Sequence, residues 1–171
     1  MAKEYALIVN TADCVGCCAC EVACKQEHNL PVGMRWIRVY TDAPRIMEGK
    51  SQLRYTVTHC MHCSQPLCQE ACPVNAISRR QDGVILINEE LCIGCKDCLD
   101  ACPLGVMQFE EEKKVARKCN LCIERIDMGL APACVNVCPS HCIYFGDIGK
   151  IAEKIGKQRL LAWYKGVGVS E

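Results

Sequence analysis

Cys92-Ile93-Gly94-Cys95-Lys96-Asp97-Cys98-Leu99-Asp100-Ala101-Cys102-Pro103 is the stretch that decides the fold. Its cysteine intervals of two, two and three residues, closed by a proline, are the run with which bacterial ferredoxins hold iron–sulfur cubanes. Three further blocks flank it: Cys14, Cys17, Cys20 and Cys24; Cys60, Cys63, Cys68 and Cys72; Cys119, Cys122, Cys134 and Cys138. The second and fourth also end in Cys-Pro, at Pro73 and Pro139. Sixteen of the eighteen cysteines in this 171-residue chain belong to the four blocks. No block lacks a ligand.

Thiolates are soft, strongly donating ligands suited to iron–sulfur clusters. In every block the last two cysteines are four residues apart, and helix-forming residues stand around them. Positions i and i+4 share a helix face about 6 Å apart along the axis. One helical turn can therefore offer a thiolate to a near cluster and the next to a second cluster, as the fourth cysteine of a two-cluster ferredoxin does. Gly16 and Gly94 are expected to let backbone N–H groups approach the cluster sulfides. Zinc is the competing metal, chiefly for Cys119, Cys122, Cys134 and Cys138, whose two separated pairs would make a closed tetrathiolate site. A disulfide scaffold fits poorly, because disulfides need no repeating local interval and no secretory signal is recognisable at the start of the chain.

Aromatic residues make up only 5% of the chain, so an apolar core is expected to be thin, with clusters tying the chain together. Lys+Arg and Asp+Glu balance at 20 each, which leaves no nucleic-acid footprint. Four oxidised cubanes with their thiolates would add roughly −8 to that balance. No stretch approaches the roughly 18 apolar residues of a membrane span. Strand patterns run over Tyr5–Asn10, Arg35–Thr41 and Leu53–Thr58. Ala76–Arg80 and Val84–Asn88 around Gln81-Asp82-Gly83 predict a hairpin, as do Val106–Phe109 and Val115–Lys118. Asp147 is placed to cap a helix carrying Ile148, Ile151 and Ile155, and the tail from Leu160 to Glu171 is expected to pack back or dock on a partner.

Two cysteines stand outside the blocks. Cys18 is expected to point away from the cluster of its neighbour Cys17, and both it and Cys142 are read as small buried hydrophobes; capture as a ligand or a redox thiol is the alternative for both. His59 and His62 read first as loop residues near the surface, with donation to a cluster sulfide by one of them as the second reading. Lys25, Lys96, Lys118 and Arg125 stand near ligands and would offset cluster charge. The chain shows no nucleophile–base arrangement, phosphate loop or paired carboxylates, so it is read as carrying no catalytic residues of its own.

Block order and spacing, with the run from His59 to Pro73, Asp82-Gly83-Val84 and Cys138-Pro139 to Gly146-Asp147, resemble the four-cluster iron–sulfur subunits of molybdopterin oxidoreductases. These are the electron-transfer subunits of the dimethyl sulfoxide reductase, nitrate reductase and formate dehydrogenase type, and the resemblance covers about residues 5–147. It implies an α+β fold of two interleaved bacterial-ferredoxin-like modules related by a pseudo-two-fold, with short hairpins and helices around four [4Fe-4S] clusters. One module would comprise residues 1–52 plus 117–147, the other 53–116, with 148–171 as a C-terminal helix and tail. The implied ligand sets are Cys14, Cys17, Cys20 and Cys138; Cys24, Cys119, Cys122 and Cys134; Cys60, Cys63, Cys68 and Cys102; and Cys72, Cys92, Cys95 and Cys98. The implied partners are a catalytic subunit with a molybdenum or tungsten pterin cofactor and a further electron donor or acceptor protein, with no nucleic acid and no membrane span. The short chain also resembles compact cytoplasmic relatives that serve tungsten enzymes of the aldehyde oxidoreductase type, such as tungsten benzoyl-CoA reductase. A cytoplasmic location is therefore expected, with periplasmic placement by co-export as the other possibility. A free polyferredoxin shuttling among several enzymes is the alternative function.

Overall fold

The computed structural model describes residues 4–47 and 50–155. The tail from Leu160 to Glu171 lies outside the described residues. In chain order the elements are β1 (Tyr5–Val9), α1 (Ala19–Glu27), β2 (Ile37–Thr41), β3 (Arg45–Met47), β4 (Lys50–Gln52), β5 (Tyr55–His59), α2 (Leu67–Glu70), β6 (Ile77–Arg79) and β7 (Ile85–Ile87). There follow α3 (Asp97–Asp100), β8 (Gln108–Glu110), β9 (Val115–Arg117), α4 (Ile123–Asp127), α5 (Ala133–Asn136), β10 (Ile143–Asp147) and α6 (Ile148–Ile155). This mixture of short helices and short antiparallel pairs fits a ferredoxin-like domain.

The strands pair antiparallel as β1–β10, β2–β5, β3–β4, β6–β7 and β8–β9. Both predicted hairpins form, with Ile77 opposite Ile87 and Gln108 opposite Arg117. The β3–β4 hairpin has no counterpart among the predicted strands. Nor does the pattern of either terminal strand disclose that β1 pairs with β10, Leu7 opposite Phe145. β1 reads as an unbroken apolar run because both its faces are covered. Leu7 enters the main core, while Ala6 and Ile8 meet Ile151 of α6. Asp147 caps that last helix as predicted: its Oδ1 accepts the Gly149 N–H at 3.0 Å and the Lys150 N–H at 3.3 Å.

The core divides around the cysteines. One apolar cluster gathers Leu7, Leu30, Met34, Trp36, Ile37, Leu121 and Ile126 with Cys20, Cys24, Cys134 and Cys138, drawn from the first and fourth blocks. The other gathers Ile77, Ile85, Met107 and Ala116 around Cys98, with Cys68, Cys72, Cys92 and Cys102 packed against it. Residues that would otherwise be filler in a small domain here surround thiols.

Prolines set the helix lengths. α2, α3 and α5 stop one or two residues before Cys72, Cys102 and Cys138, because a residue preceding proline is pushed out of the helical region. Lys25 follows Cys24 in place of a proline, and α1 runs on to Glu27. After each Cys-Pro the same turn recurs. Asn75, Gly105 and His141 take left-handed φ of 51°, 57° and 51°, and their N–H groups donate to the carbonyls of Cys72, Cys102 and Cys138 at 3.1–3.2 Å. The i, i+4 relation therefore holds on a continuous helix only in the first block. Elsewhere a helical turn plus a proline-stopped cysteine does the same work.

Candidate metal centres

The loop between the first two cysteines of each block bends alike. The residue before the second cysteine has positive φ in all four: Gly16 (69°), His62 (48°), Gly94 (72°) and Leu121 (58°). Such bends turn backbone N–H groups toward the inside of the loop. Direct N–H donation to thiols appears at Ala76 to Cys72 Sγ (3.2 Å), Leu121 to Cys119 Sγ (3.4 Å) and Ala116 to Cys92 Sγ (3.5 Å). The glycines have an added reason. A Cβ on Gly16 would lie 2.2 Å from the Tyr55 ring, and one on Gly94 would lie 2.6 Å from the Lys114 carbonyl oxygen. Packing of the loops against neighbouring strands thus demands glycine there, independently of any approach to a cluster.

All eighteen cysteines are free thiols. Sixteen of them line four separate hollows, four to each, and Cys18 and Cys142 also line the first. Cys14, Cys17, Cys20 and Cys138 line that first one; Cys24, Cys119, Cys122 and Cys134 line the next. Cys60, Cys63, Cys68 and Cys102 line a third, and Cys72, Cys92, Cys95 and Cys98 a fourth. In each, three cysteines come from one block and one from another. The thiols ring these spaces instead of meeting at a point, and among the described residues no three metal-binding side chains close on a single-ion site. A wider cleft of about 340 Å³, lined by Trp36, Glu89, Arg117 and Glu124 among others, borders no cysteine.

The hollows stand in series. α1 carries Cys20 to the first and Cys24 to the second, while α2 and α3 lie together between the third and fourth. Cys60 of the third is near enough to Cys119 of the second to raise its pKa, though burial is the larger cause. The two outer hollows each have an exposed ligand candidate, Cys17 or Cys95, next to exposed Val15 or Ile93.

Burial pushes the thiols of Cys20, Cys24 and Cys98 up to about 12 and that of Cys68 to about 11, so they are protonated at neutral pH without metal. Cys134 and Cys119 are raised for the same reason. Cys138 moves the other way: burial raises it, but hydrogen bonds from Ser140 and Cys142 outweigh that.

Around the thiols the remaining expectations divide. Cys142 is buried as expected, with its Sγ 3.6 Å from Cys138 Sγ. Cys18 takes a left-handed backbone (φ 58°), is partly buried beside the Cys14 hollow, and donates its Sγ proton to the Gly16 carbonyl at 3.5 Å. His59 and His62 are not near the surface; they are 4% and 5% exposed. The His59 ring donates from Nδ1 to the Cys60 carbonyl at 3.0 Å, and burial lowers its pKa. His28, which was not anticipated, lies with Nε2 3.2 Å from Cys122 Sγ and its ring against Trp36. Of the four cations, Lys25 ties the chain after α1 by donating to Leu30, Pro31 and Met34 carbonyls, and Arg125 holds Ala131 and Glu27. Lys96 is half-exposed beside Glu111, whereas Lys118 is only 4% exposed.

This donor set fits iron–sulfur clusters. Each hollow offers four soft thiols in an otherwise largely apolar lining, with backbone N–H groups turned onto several sulfurs. The chain also matches the 4Fe-4S dicluster domain model over residues 51–148. It is 35% identical over 159 residues to the B subunit of polysulfide reductase from Wolinella succinogenes, covering 92% of this chain and 83% of the relative. With the B subunit of anaerobic dimethyl sulfoxide reductase from Escherichia coli it shares 33% identity over 163 residues, 91% of this chain and 80% of the relative. With the thiosulfate reductase electron transfer subunit PhsB of Salmonella typhi it shares 32% over 164 residues, covering 94% and 85%. The protein belongs to the 4Fe-4S dicluster domain family, and its cofactors are [4Fe-4S] clusters.

Proposed function

We propose that this chain is the electron-transfer subunit of a molybdenum or tungsten pterin oxidoreductase and holds four [4Fe-4S] clusters in a line. The ligand sets are those of the four hollows, from Cys14, Cys17, Cys20 and Cys138 at one end to Cys72, Cys92, Cys95 and Cys98 at the other. When bound, [4Fe-4S] clusters accept and release single electrons. The observation that carries this reading is the division of sixteen thiols into four serial hollows, each combining two blocks. The second apolar cluster draws only on residues 53–116, which supports a module there; the first draws chiefly on residues 1–52 and 117–147, with Val84 of the other module joining it.

The protein's part is to fix the order of the centres, bury the inner ones and tune them. Cys17 and Cys95, exposed beside Val15 and Ile93, mark the two outer centres as the points of exchange with partner proteins. The similarity to the B subunits of dimethyl sulfoxide and polysulfide reductases and to the electron transfer subunit of thiosulfate reductase supports a catalytic partner of this class. Among the described residues no helix is long and apolar enough to cross a membrane. We place the protein in the cytoplasm or, carried by a partner, in the periplasm.

The test is capture of the tagged chain from its native host without oxygen, followed by metal analysis. A large co-purifying subunit containing molybdenum or tungsten is the expected result. Release of that subunit on deleting Leu160–Glu171 would locate its docking in the tail. An iron-loaded chain with no partner and neither heavy metal would make the protein a free polyferredoxin instead.

A further inference from the structure

Imidazoles line two of the hollows, His28 and His59 that of Cys24, Cys119, Cys122 and Cys134, and His62 that of Cys60, Cys63, Cys68 and Cys102; among the described residues only His62 has its ring proton fixed on Nε2 by a backbone N–H. The reason lies in β7. Across the β6–β7 hairpin the hydrogen-bonding pairs include Arg80 with Val84, whose carbonyl accepts the Arg80 N–H at 2.8 Å, and Ala76 with Asn88, also at 2.8 Å. Alternation along an antiparallel pair then turns the N–H and C=O of Ile85 to the open edge of the hairpin. Both are buried, and both are taken up by side chains. His62 Nδ1 accepts the Ile85 N–H at 3.0 Å, and the Ile85 carbonyl accepts from Lys118 Nζ.

That contact settles the imidazole. A ring whose Nδ1 accepts a hydrogen bond carries its proton on Nε2. His62 Nε2 is buried and has no hydrogen-bond partner among the described residues. The ring borders the hollow with Cys60, Cys63, Cys68 and Cys102. An unsatisfied buried donor is costly, and this one is further held at a non-glycine left-handed position, φ 48°. His59 cannot take the same role, since its Nδ1 proton is spent on the Cys60 carbonyl and its Nε2 is left bare.

Lys118 supplies the second feature. Its ammonium, 4% exposed, donates to the carbonyls of Ile85 and Cys119 and forms no salt bridge among the described residues. Ile85 lines the hollow of Cys60, Cys63, Cys68 and Cys102, so the ammonium on its carbonyl stands directly behind that lining. A buried cation without a carboxylate is stabilised by whatever negative charge the hollow contains.

We propose that His62 donates its Nε2–H to a sulfur of the cluster held by Cys60, Cys63, Cys68 and Cys102, and that His62 and Lys118 together make this centre the first of the four to be reduced. The proposal rests on the four-cluster reading above. Reduction adds negative charge to the cluster, and both a hydrogen bond to sulfur and a nearby cation favour the more negative state. His62 is a positioning and tuning residue, not a ligand.

The test is stepwise reduction of the anaerobically purified holo-protein followed by electron paramagnetic resonance. In His62→Leu the reduced-to-oxidised ratio of the first-reduced centre should fall about tenfold at a fixed solution potential, about 59 mV for a one-electron centre. Iron content and the other three midpoints should stay unchanged. Lys118→Gln should move the same midpoint in the same direction. A second measurement covers variants that fail to assemble. In wild-type protein labelled with nitrogen-15 histidine, pulsed spectra of the first-reduced signal should show nitrogen coupling, which His62→Gln abolishes. No coupling on that signal, or an unmoved midpoint in His62→Leu, overturns the proposal. The four-cluster reading fails separately, on wild-type iron well short of about sixteen per chain, and would take this proposal with it.

Discussion

Gly94→Ala isolates how tightly the protein must hold a cluster loop. Gly94 has φ 72°, where an L-residue costs about 1–2 kcal/mol. Its new Cβ would also lie 2.6 Å from the Lys114 carbonyl oxygen, and that atom belongs to backbone leading into β9. Relieving such a contact by moving backbone costs about 1–3 kcal/mol more. Gly33→Ala is the matched control: φ is 86°, but nothing lies within 4 Å of its Cβ position, so only the conformational cost applies. Cluster loss on unfolding is irreversible, so stability is read as a rate. The assay is anaerobic decay of cluster absorbance in fixed denaturant. If the steric cost is released on unfolding, Gly94→Ala should lose its clusters roughly 5- to 150-fold faster than Gly33→Ala, at about 1.36 kcal/mol per tenfold. Equal decay of the two variants would refute the argument that backbone contact with Lys114 constrains this loop.

Three other perturbations follow from the same geometry. Cys102→Ser should damage the centre built on Cys60, Cys63 and Cys68, because Cys102 lines that hollow; spectra in which only the Cys92, Cys95 and Cys98 centre changes would contradict the crossed ligation. Glu21, 7% exposed on α1 between Cys20 and Cys24, accepts the Val39 N–H at 2.6 Å and the Arg35 guanidinium at 3.1 Å. Glu21→Ala should cost about 2–3 kcal/mol, nearly all from the charged hydrogen bond since Arg35 is half-exposed, and less than about a twofold change in the rate of anaerobic cluster loss would sink that account. Cys20, Cys24 and Cys98, raised to about 12 from 9.0, hold their protons at neutral pH, so loading should expel about four protons per cluster and retention should fall on acidification. In the metal-free chain the same shifts act with the opposite sense: stability is intact below pH 9 and declines as pH rises toward 12, where the unfolded chain has already released those protons. Proton release in a pH-stat during anaerobic reconstitution, and denaturation of the iron-free chain against pH, measure the two.

Much of the candidate site was legible because its information is local. Intervals of two and three residues dictate loop and helical turn whatever surrounds them, and the hairpins at 76–88 and 106–118 announce themselves by their own turns. The pairing of β1 with β10 was not legible, since a period of two marks a strand and says nothing of its partner 130 or more residues away. His59 and His62 looked like loop residues because no local pattern reveals that Ile85 presents its backbone edge to one of them. Lys118 was indistinguishable in sequence from Lys25 and Lys96. Only the fold, which sets Lys118 between the Ile85 and Cys119 carbonyls, separates a buried ammonium from a loop tie and a solvated one.

Iron and acid-labile sulfide counted per chain on protein purified without oxygen test the central claim most directly. About sixteen of each are predicted, with Mössbauer spectra showing essentially all the iron in [4Fe-4S] centres. About eight of each, or zinc in place of iron in the hollow of Cys24, Cys119, Cys122 and Cys134, would contradict it.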